Sequence, residues 1–209
     1  MAEVAAILLA AGSASRFRAA GGEASKLVAI LGGKPLVRHA ADAALGSKAR
    51  PVIVVTGHDR PEVEAALAGL PLRFTHNADY ALGLASSLKT GIAAVPASAD
   101  GALVLLGDMP AVAPALIDRL IAAFGARPDA LAAAPVAEGR RGNPVLLSRA
   151  LFAAIAGLDG DEGARKLLVG VGAGQVIEVG AAGPGATLDI DTPAALDEAR
   201  KGWRDPSLS

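Results

Sequence analysis

Small residues, a cation and hydroxyl groups follow the first apolar run of the chain, at 4–10. Residues 11–15 are Ala, Gly or Ser, and small residues let backbone N–H groups approach an anion closely. Ser13 can donate its hydroxyl, and the planar guanidinium of Arg16 can clamp a phosphate. Lys26 can supply a second cation. The segment is neither a Walker loop nor a Gly-x-Gly-x-x-Gly turn, so by itself it also fits an ordinary strand-to-helix turn.

Acidic residues follow two later apolar segments. Asp108 comes directly after the predicted strand 101–106, at the end where open α/β sheets bind ligands. A carboxylate there is costly unless it meets a cation or hydrogen-bond donors, which favours a magnesium ligand. A helix cap or an internal salt bridge is the alternative. Of Asp189 and Asp191, we expect one to face the site and the other to cap the helix that follows, with Thr192 as a competing cap.

Two polar loops complete the candidate site. In the segment 140–147, Gly142 permits unusual backbone torsions and Asn143 offers both a donor and an acceptor. As the tip of a solvated hairpin this segment would need no function. Gly83 leads into a predicted helix whose first turn carries Ser86 and Ser87. Helix N-termini and hydroxyls suit ribose or base recognition, and helix capping is the alternative.

The elements that must position these residues alternate between strand and helix up to about residue 130. We predict strands at 4–10, 51–56, 72–75 and 101–106, and helices at 35–45, 61–70, 85–95 and 114–124. Continuous apolar strands separated by amphipathic helices indicate a parallel sheet that is covered on both faces.

The pattern changes after residue 130. We predict a hairpin of strands 130–136 and 144–147, helices at 148–155 and 161–169, strands at 175–179 and 187–190, and a helix at 193–201. The fold class is therefore α/β, a three-layer α/β/α sandwich with a mostly parallel sheet and a late antiparallel portion. A single domain is expected over 1–201, and the polar tail 202–209 is expected to fray.

Composition excludes several classes of protein. The chain has 209 residues, of which 52% are hydrophobic and 20% charged, with a net charge of -1 and no cysteine. The hydrophobic content excludes a disordered chain. The lack of cysteine excludes disulfides, thiolate chemistry and zinc-thiolate or iron-sulfur sites. The net charge argues against a nucleic-acid partner. Apolar runs are far shorter than the roughly 18–20 residues of a membrane span. No basic secretory segment is present at the start, so we expect a cytoplasmic protein without a membrane partner.

Taken in chain order, these stretches resemble the MobA-like nucleotidyltransferases, and within them the molybdenum cofactor cytidylyltransferases. The resemblance covers nearly the whole chain. It rests on Leu9-Ala-Ala-Gly12 with Arg16, Ser25-Lys-Leu27, Gly33-Lys-Pro-Leu-Val-Arg-His39, Gly83 with Ser86-Ser-Leu88, Gly107-Asp-Met-Pro110, Arg141-Gly-Asn-Pro144, Gly160-Asp-Glu-Gly-Ala-Arg165 and Asp189-Ile-Asp-Thr-Pro193.

The resemblance implies a Rossmann-like fold of the glycosyltransferase-A type, with a nucleotide half at about 1–110 and an acceptor half at about 111–201. It implies transfer of CMP from CTP to the phosphate of Mo-molybdopterin with Mg²⁺, and delivery of the product to a molybdoenzyme or its chaperone. Arg16, Lys26 and Asp108 would be catalytic, and Asp108 and Asp189 would hold the metal. The nucleotide would contact Leu9, Ala10, Ala11, Gly12, Ser13, Arg16, Lys26, Thr56, Gly57, Gly83, Ser86, Ser87, Gly107 and Asp108. The acceptor would contact Arg141, Gly142, Asn143, Pro144, Asp161 and Arg165.

The chain also departs from the family pattern. Phe17-Arg18 replaces the usual Met-Gly, and the segment to Lys26 is longer, so it can act as a lid. Ala11, where the guanylyl branch tends to have Gly, favours CTP over GTP. The alternatives are a guanylyltransferase, a nucleotidyltransferase for another small phosphate, and a non-catalytic carrier of nucleotide or cofactor. A Rossmann oxidoreductase is disfavoured because the second and third glycines are missing.

Overall fold

The computed structural model describes residues 2–22, 25–172, 174–181 and 183–206. Its strands are β1 (Val4–Ala10), β2 (Ile30–Leu31), β3 (Lys34–Pro35), β4 (Val52–Thr56), β5 (Arg73–His76), β6 (Gly101–Leu106), β7 (Ala132–Ala137), β8 (Arg140–Arg141), β9 (Val145–Ser148) and β10 (Val176–Gly180). Its α-helices are α1 (Ser15–Ala19), α2 (Leu36–Gly46), α3 (Arg60–Ala66), α4 (Leu84–Ala93), α5 (Pro114–Gly125), α6 (Phe152–Ile155), α7 (Ala164–Leu167) and α8 (Pro193–Lys201).

The main sheet has the strand order β10-β7-β9-β6-β1-β4-β5, and β8 pairs with β7 outside this path. Strand β1 is central, runs parallel to both β4 and β6, and is buried at every position. Its alternate side chains enter two apolar clusters, one under α2 and α5 and the other under α4. The predicted three-layer α/β/α architecture is therefore confirmed, because helices exclude water from both faces of the parallel strands.

The late part of the sheet contains antiparallel pairs, as predicted. Strand β9 lies between β6 and β7 and runs opposite to both, while the edge strand β10 is parallel to β7. The predicted hairpin between 130 and 147 is confirmed, with the short strand β8 added inside its turn. The predicted strand at 187–190 is wrong, because these residues form a turn and an irregular segment.

A third, smaller cluster anchors the segments that surround the sheet edge. Phe17 of α1, Leu36 of α2 and Leu196 of α8 are buried together with Ile190 from the irregular segment. These contacts hold α1 and the 187–191 segment near the carboxyl ends of β1 and β6. The buried Phe17 ring anchors α1, and a smaller or more flexible residue at this position would leave α1 without that anchor.

The residues after α8 dock on the protein instead of fraying, so the expectation for the tail is wrong over 203–206, while 207–209 lie outside the described residues. The Trp203 ring lies edge-on to His39 at 4.9 Å between centroids, and a Cβ on Gly32 would clash with that ring. Lys34 Nζ donates to Asp205 Oδ2 at 2.9 Å.

No described helix has the length and apolarity needed to cross a bilayer.

Candidate active site

A cavity of about 540 Å³ opens at the carboxyl ends of β1 and β6. Most of its wall comes from the loop after β1, the turn after β6 and the entry to α4, and the segments of Lys26, Asp161 and Asp191 complete it. The lining residues are Leu9, Ala11, Gly12, Ser13, Ala14, Ser15, Arg16, Lys26, Leu27, Tyr80, Ala81, Gly83, Leu84, Ser87, Leu106, Gly107, Asp108, Asp161 and Asp191. Most of the predicted nucleotide-binding residues are among them, but Ala10, Thr56, Gly57 and Ser86 are not.

The loop after β1 is held from behind by the turn after β4. His58 N donates to Ala11 O at 3.2 Å, and a Cβ on Gly57 would lie 2.6 Å from the same oxygen. Thr56 is fully buried. Gly57 is therefore required for the close approach of the two backbones. The structure places Thr56 and Gly57 behind the wall of the cavity, where they support the loop.

Two carboxylates and two cations meet at one end of the cavity. Lys26 Nζ donates to Asp108 Oδ2 at 2.6 Å and to Asp191 Oδ1 at 2.8 Å, and Arg16 Nη1 donates to Asp191 Oδ2 at 2.6 Å. The Lys26 side chain is only 12% exposed, whereas that of Arg16 is 80% exposed. Ile190 N donates to Asp108 O at 3.0 Å, so a backbone hydrogen bond fixes the segment of Asp191 against the turn of Asp108.

The ion pairs change the pKa values of two of these groups. Burial alone would lower the pKa of Lys26, but the charge of Asp108 and hydrogen bonds to Asp108 and Asp191 raise it above its ordinary value. The hydrogen bond from Lys26 lowers the pKa of Asp191 below its usual range, against the opposing effect of burial and with help from the charge of Arg16. Lys26 is thus an ammonium and Asp191 a carboxylate at neutral pH.

Asp191, not Asp189, is the acidic residue that faces Asp108. The family resemblance implied that Asp108 and Asp189 hold the metal, but the structure places Asp189 in a neighbouring cavity. Thr192 caps α8, since its Oγ1 accepts a hydrogen bond from Ala195 N at 3.1 Å. The Thr-Pro signal at the start of α8 was the available clue that Asp191 is free to serve the site.

The neighbouring cavity has a volume of about 320 Å³ and a cationic wall. It adjoins the first cavity, because Leu106 lines both. The predicted acceptor residues Arg141, Gly142, Asn143 and Arg165 lie here, and so does Arg140, to which the sequence analysis assigned no acceptor role. Of the other two, Asp161 lines the first cavity and Pro144 lines neither. The full lining is Leu106, Met109, Arg140, Arg141, Gly142, Asn143, Arg165, Ala186, Thr187 and Asp189.

Close backbone packing positions this second cavity. Asn143 N donates to Ala186 O at 3.0 Å, and a Cβ on Gly142 would clash with that oxygen. The absence of a side chain at Gly142 therefore lets the segment containing Ala186 cross the turn of the β7–β9 hairpin. The same segment continues to Asp189 and Asp191, so this contact helps to place both carboxylates.

The entry to α4 presents one hydroxyl to the first cavity. Asn77 Nδ2 donates to Ser86 Oγ at 2.8 Å and to Ser87 Oγ at 3.0 Å. Ser87 lines the first cavity, whereas Ser86 lines a separate cavity of about 220 Å³. Gly83 has a φ of +98°, and a Cβ there would clash with the backbone of Gly160. Asn77 was missed as a site residue, although its amide orients both serines.

The family model of the MobA-like NTP transferase domain matches residues 6–175. Rv0371c from Mycobacterium tuberculosis H37Rv is 26% identical with a TM-score of 0.82, over 96% of this chain and 99% of that one. A manganese complex of Rv0371C aligns over 96% and 100% of the two chains with a TM-score of 0.77 and 26% identity. A nucleotidyl transferase from Methanothermobacter (Mth528) is 28% identical with a TM-score of 0.80, over 95% and 96% of the two chains.

Among curated proteins, the bifunctional protein GlmU of Kineococcus radiotolerans is 36% identical over 129 residues. The match covers 61% of this chain and 26% of that protein, so the chain spans about a quarter of the length of this relative.

Proposed function

The chain belongs to the MobA-like NTP transferase family, and we propose on that premise that it transfers CMP from CTP to the terminal phosphate of Mo-molybdopterin. The observation that carries this proposal is the meeting of two cavities at Leu106. One cavity has a small-residue loop, two cations and three carboxylates, and the other has three arginines and one carboxylate. Both substrates of such a transfer are anionic phosphates, and each cavity has cationic side chains that can contact one of them.

In the proposed reaction, an oxygen of the acceptor phosphate attacks the α-phosphorus of CTP. A new phosphoanhydride bond forms, the α–β bond breaks, and pyrophosphate leaves with the electron pair. The acceptor phosphate is already anionic at neutral pH, so no general base is required. Arg16 and Lys26 neutralise the charge that develops on pyrophosphate, while Arg141 and Arg165 hold the acceptor in line.

Asp108 and Asp191 fit a divalent metal ion, for which we propose Mg²⁺. Their oxygens converge on a single cationic group, the Lys26 ammonium, at 2.6 and 2.8 Å. Two converging carboxylates suit Mg²⁺, which proteins usually bind through one or two carboxylates together with substrate phosphates. When bound, the ion supplies charge neutralisation for the triphosphate. The manganese complex of Rv0371C supports the use of a divalent ion in this family.

CTP is proposed over GTP because of Ala11 in the loop after β1. The nucleoside would lie between this loop and the entry to α4, where Ser87 presents its hydroxyl. Asn77 already donates to Ser87 Oγ, which leaves the serine proton available for an acceptor atom of the ligand. The product would pass to a molybdoenzyme or its chaperone.

A thermal-shift panel of CTP, GTP, ATP and UTP, each with and without Mg²⁺, tests the nucleotide. A ligand that binds only the folded state stabilises by about 2.7 kcal/mol at a hundredfold excess over Kd. We expect a Mg²⁺-dependent shift with CTP. A shift with GTP alone would move the product to the guanine dinucleotide, and the absence of a shift with every nucleotide would contradict the proposal.

Pyrophosphate release with Mo-molybdopterin as acceptor tests the reaction. Asp108→Ala is expected to abolish turnover while the protein stays folded, whereas Asp159→Ala, which removes a carboxylate that is 98% exposed, should leave turnover unchanged. An Asp108→Ala protein with more than about a tenth of wild-type activity would refute the assigned role, since losing such a contact typically costs a hundredfold or more. Nucleotide binding without pyrophosphate release would indicate a carrier instead of an enzyme.

A further inference from the structure

Lys26 lies where the proposed metal ion would lie. Its ammonium is 2.6 Å from Asp108 and 2.8 Å from Asp191, and its side chain is 12% exposed. Arg16 pairs with Asp191 alone and is 80% exposed. The two carboxylates therefore carry two cations already, and this group of four side chains has no net charge.

In the proposed reaction, Asp108 and Asp191 hold the metal ion and Lys26 neutralises pyrophosphate. The observed arrangement of these side chains conflicts with both roles. Mg²⁺ binds oxygen at about 2.0–2.1 Å, so an ion held by both carboxylates would occupy the space of the Lys26 ammonium. Lys26, in turn, cannot neutralise pyrophosphate while it donates to both carboxylates. A divalent ion that joined the group with both cations in place would also leave two uncompensated positive charges in a partly buried site, which is unfavourable.

We propose that Lys26 is an internal counter-ion that blocks the metal site until a nucleotide binds. The phosphates of the nucleotide attract Lys26 and Arg16, and the carboxylates then become available to the divalent ion. Metal alone binds weakly, and metal and nucleotide each increase the affinity for the other. The inference rests on the proposed function only in that a triphosphate and a divalent ion share this cavity.

The test measures Mn²⁺ binding in the absence of any nucleotide, from the electron paramagnetic resonance signal of the free ion. Lys26→Met removes the blocking charge and is expected to lower the Kd for Mn²⁺ at least tenfold relative to wild type. Lys26→Arg keeps the charge and should bind Mn²⁺ as weakly as wild type does. Lys89→Met removes one positive charge outside the cavity and serves as the matched control. Adding Asp191→Asn to Lys26→Met should abolish the gain.

Two results with the variants would overturn the inference. One is a Kd for Lys26→Met within twofold of the wild-type value, and the other is a gain in affinity that persists when Asp191→Asn is added. Lys26→Gln provides a second uncharged variant with a polar head if the methionine protein does not fold. The wild-type protein gives an independent criterion. A Kd for Mn²⁺ below about 10⁻⁵ M without nucleotide, which is the affinity range of calcium-sensor sites for their ion, would show that Lys26 does not block the metal site.

The outcome is separate from that of the proposed function. Mn²⁺ binding depends on neither the base nor the acceptor, so a wrong nucleotide or acceptor would leave the expected affinities unchanged. Conversely, pyrophosphate release can proceed from CTP even if Lys26 and the metal ion do not compete.

Discussion

Replacing Asp191 by asparagine tests which late carboxylate completes the active site. The carboxylate of Asp191 accepts from Lys26 at 2.8 Å and from Arg16 at 2.6 Å, whereas Asp189 lines the neighbouring cavity. The variant Asp191→Asn keeps the shape of the side chain and one oxygen but loses the negative charge. The charge is what a metal ion and the two cations require, so catalysis should fall while the fold survives.

The expected loss in catalytic rate and the expected loss in stability differ widely. Loss of one charge contact to the transition state costs about 3–4 kcal/mol, or roughly a hundredfold to a thousandfold in rate. The Asp191 side chain is 36% exposed, and ion pairs with that degree of solvent contact contribute on the order of 0–1 kcal/mol to stability. Lys26 also keeps Asp108 as a partner. The melting temperature should therefore fall by no more than about 4 °C for a chain of this length.

The assay is steady-state pyrophosphate release from CTP, Mg²⁺ and Mo-molybdopterin, with circular dichroism melting of each protein. Asp189→Asn makes the same chemical change two residues earlier and is the matched control. It should leave kcat within about tenfold and should not raise the KM for the anionic acceptor, because the change removes a negative charge beside the acceptor arginines. An Asp191→Asn enzyme within threefold of wild type, together with a hundredfold loss in Asp189→Asn, would refute the assignment.

Three further predictions concern the surroundings of the site. Gly142→Ala drives a methyl group into Ala186 O and should cost about 1–3 kcal/mol, or roughly 2–12 °C in melting temperature, whereas Gly180→Ala meets nothing within 4 Å and should change it little. Arg165→Ala should raise the KM for the acceptor at least tenfold without changing the KM for CTP, and an equal rise in both values would place Arg165 elsewhere. Thr192→Ala removes the cap of α8 and should lower stability by about 1 kcal/mol in denaturant unfolding, a loss that serine should restore.

The apolar runs predicted the centre of the fold well. Strands β1 and β6 begin and end at the predicted residues, because strands buried on both faces require continuous apolar sequence. Asp108 follows directly from that prediction, since a residue after β6 has to lie at the ligand-binding edge. The same reasoning places the loop of Ser13 and Arg16 beside Asp108.

The segment at 187–191 was mispredicted for a physical reason. Leu188 and Ile190 alternate with polar residues, which is the pattern of a half-buried strand. In the structure Ile190 is buried against α1 and α8, and Leu188 packs beside it. Burial in this small cluster satisfies the alternation without a partner strand. Sequence alone does not distinguish the two arrangements, and the alternation left open whether Asp189 or Asp191 faces the site. Asp189 was implied by the family resemblance, whereas the structure brings Asp191 to Lys26 and Asp108.

Contacts between distant segments were also not predicted, because no local sequence pattern indicates them. Trp203 follows a helix in a polar stretch, and nothing local indicates that it packs on Gly32 and His39. Asn77 looks like an ordinary loop residue until Ser86 and Ser87 are brought to its amide.

The distance along the chain between Lys26 and Asp191 also has a consequence for biosynthesis. The two residues are 165 positions apart. A ribosome adds about 5–20 residues per second, so roughly 8–33 s separate the synthesis of the first from that of the second. A nascent chain can fold β1, β4 and β6 around the nucleotide loop during this interval, but the site still lacks one of its two carboxylates. The proposed site therefore assembles only after Asp191 has been synthesised and Ile190 has bonded to the turn of Asp108.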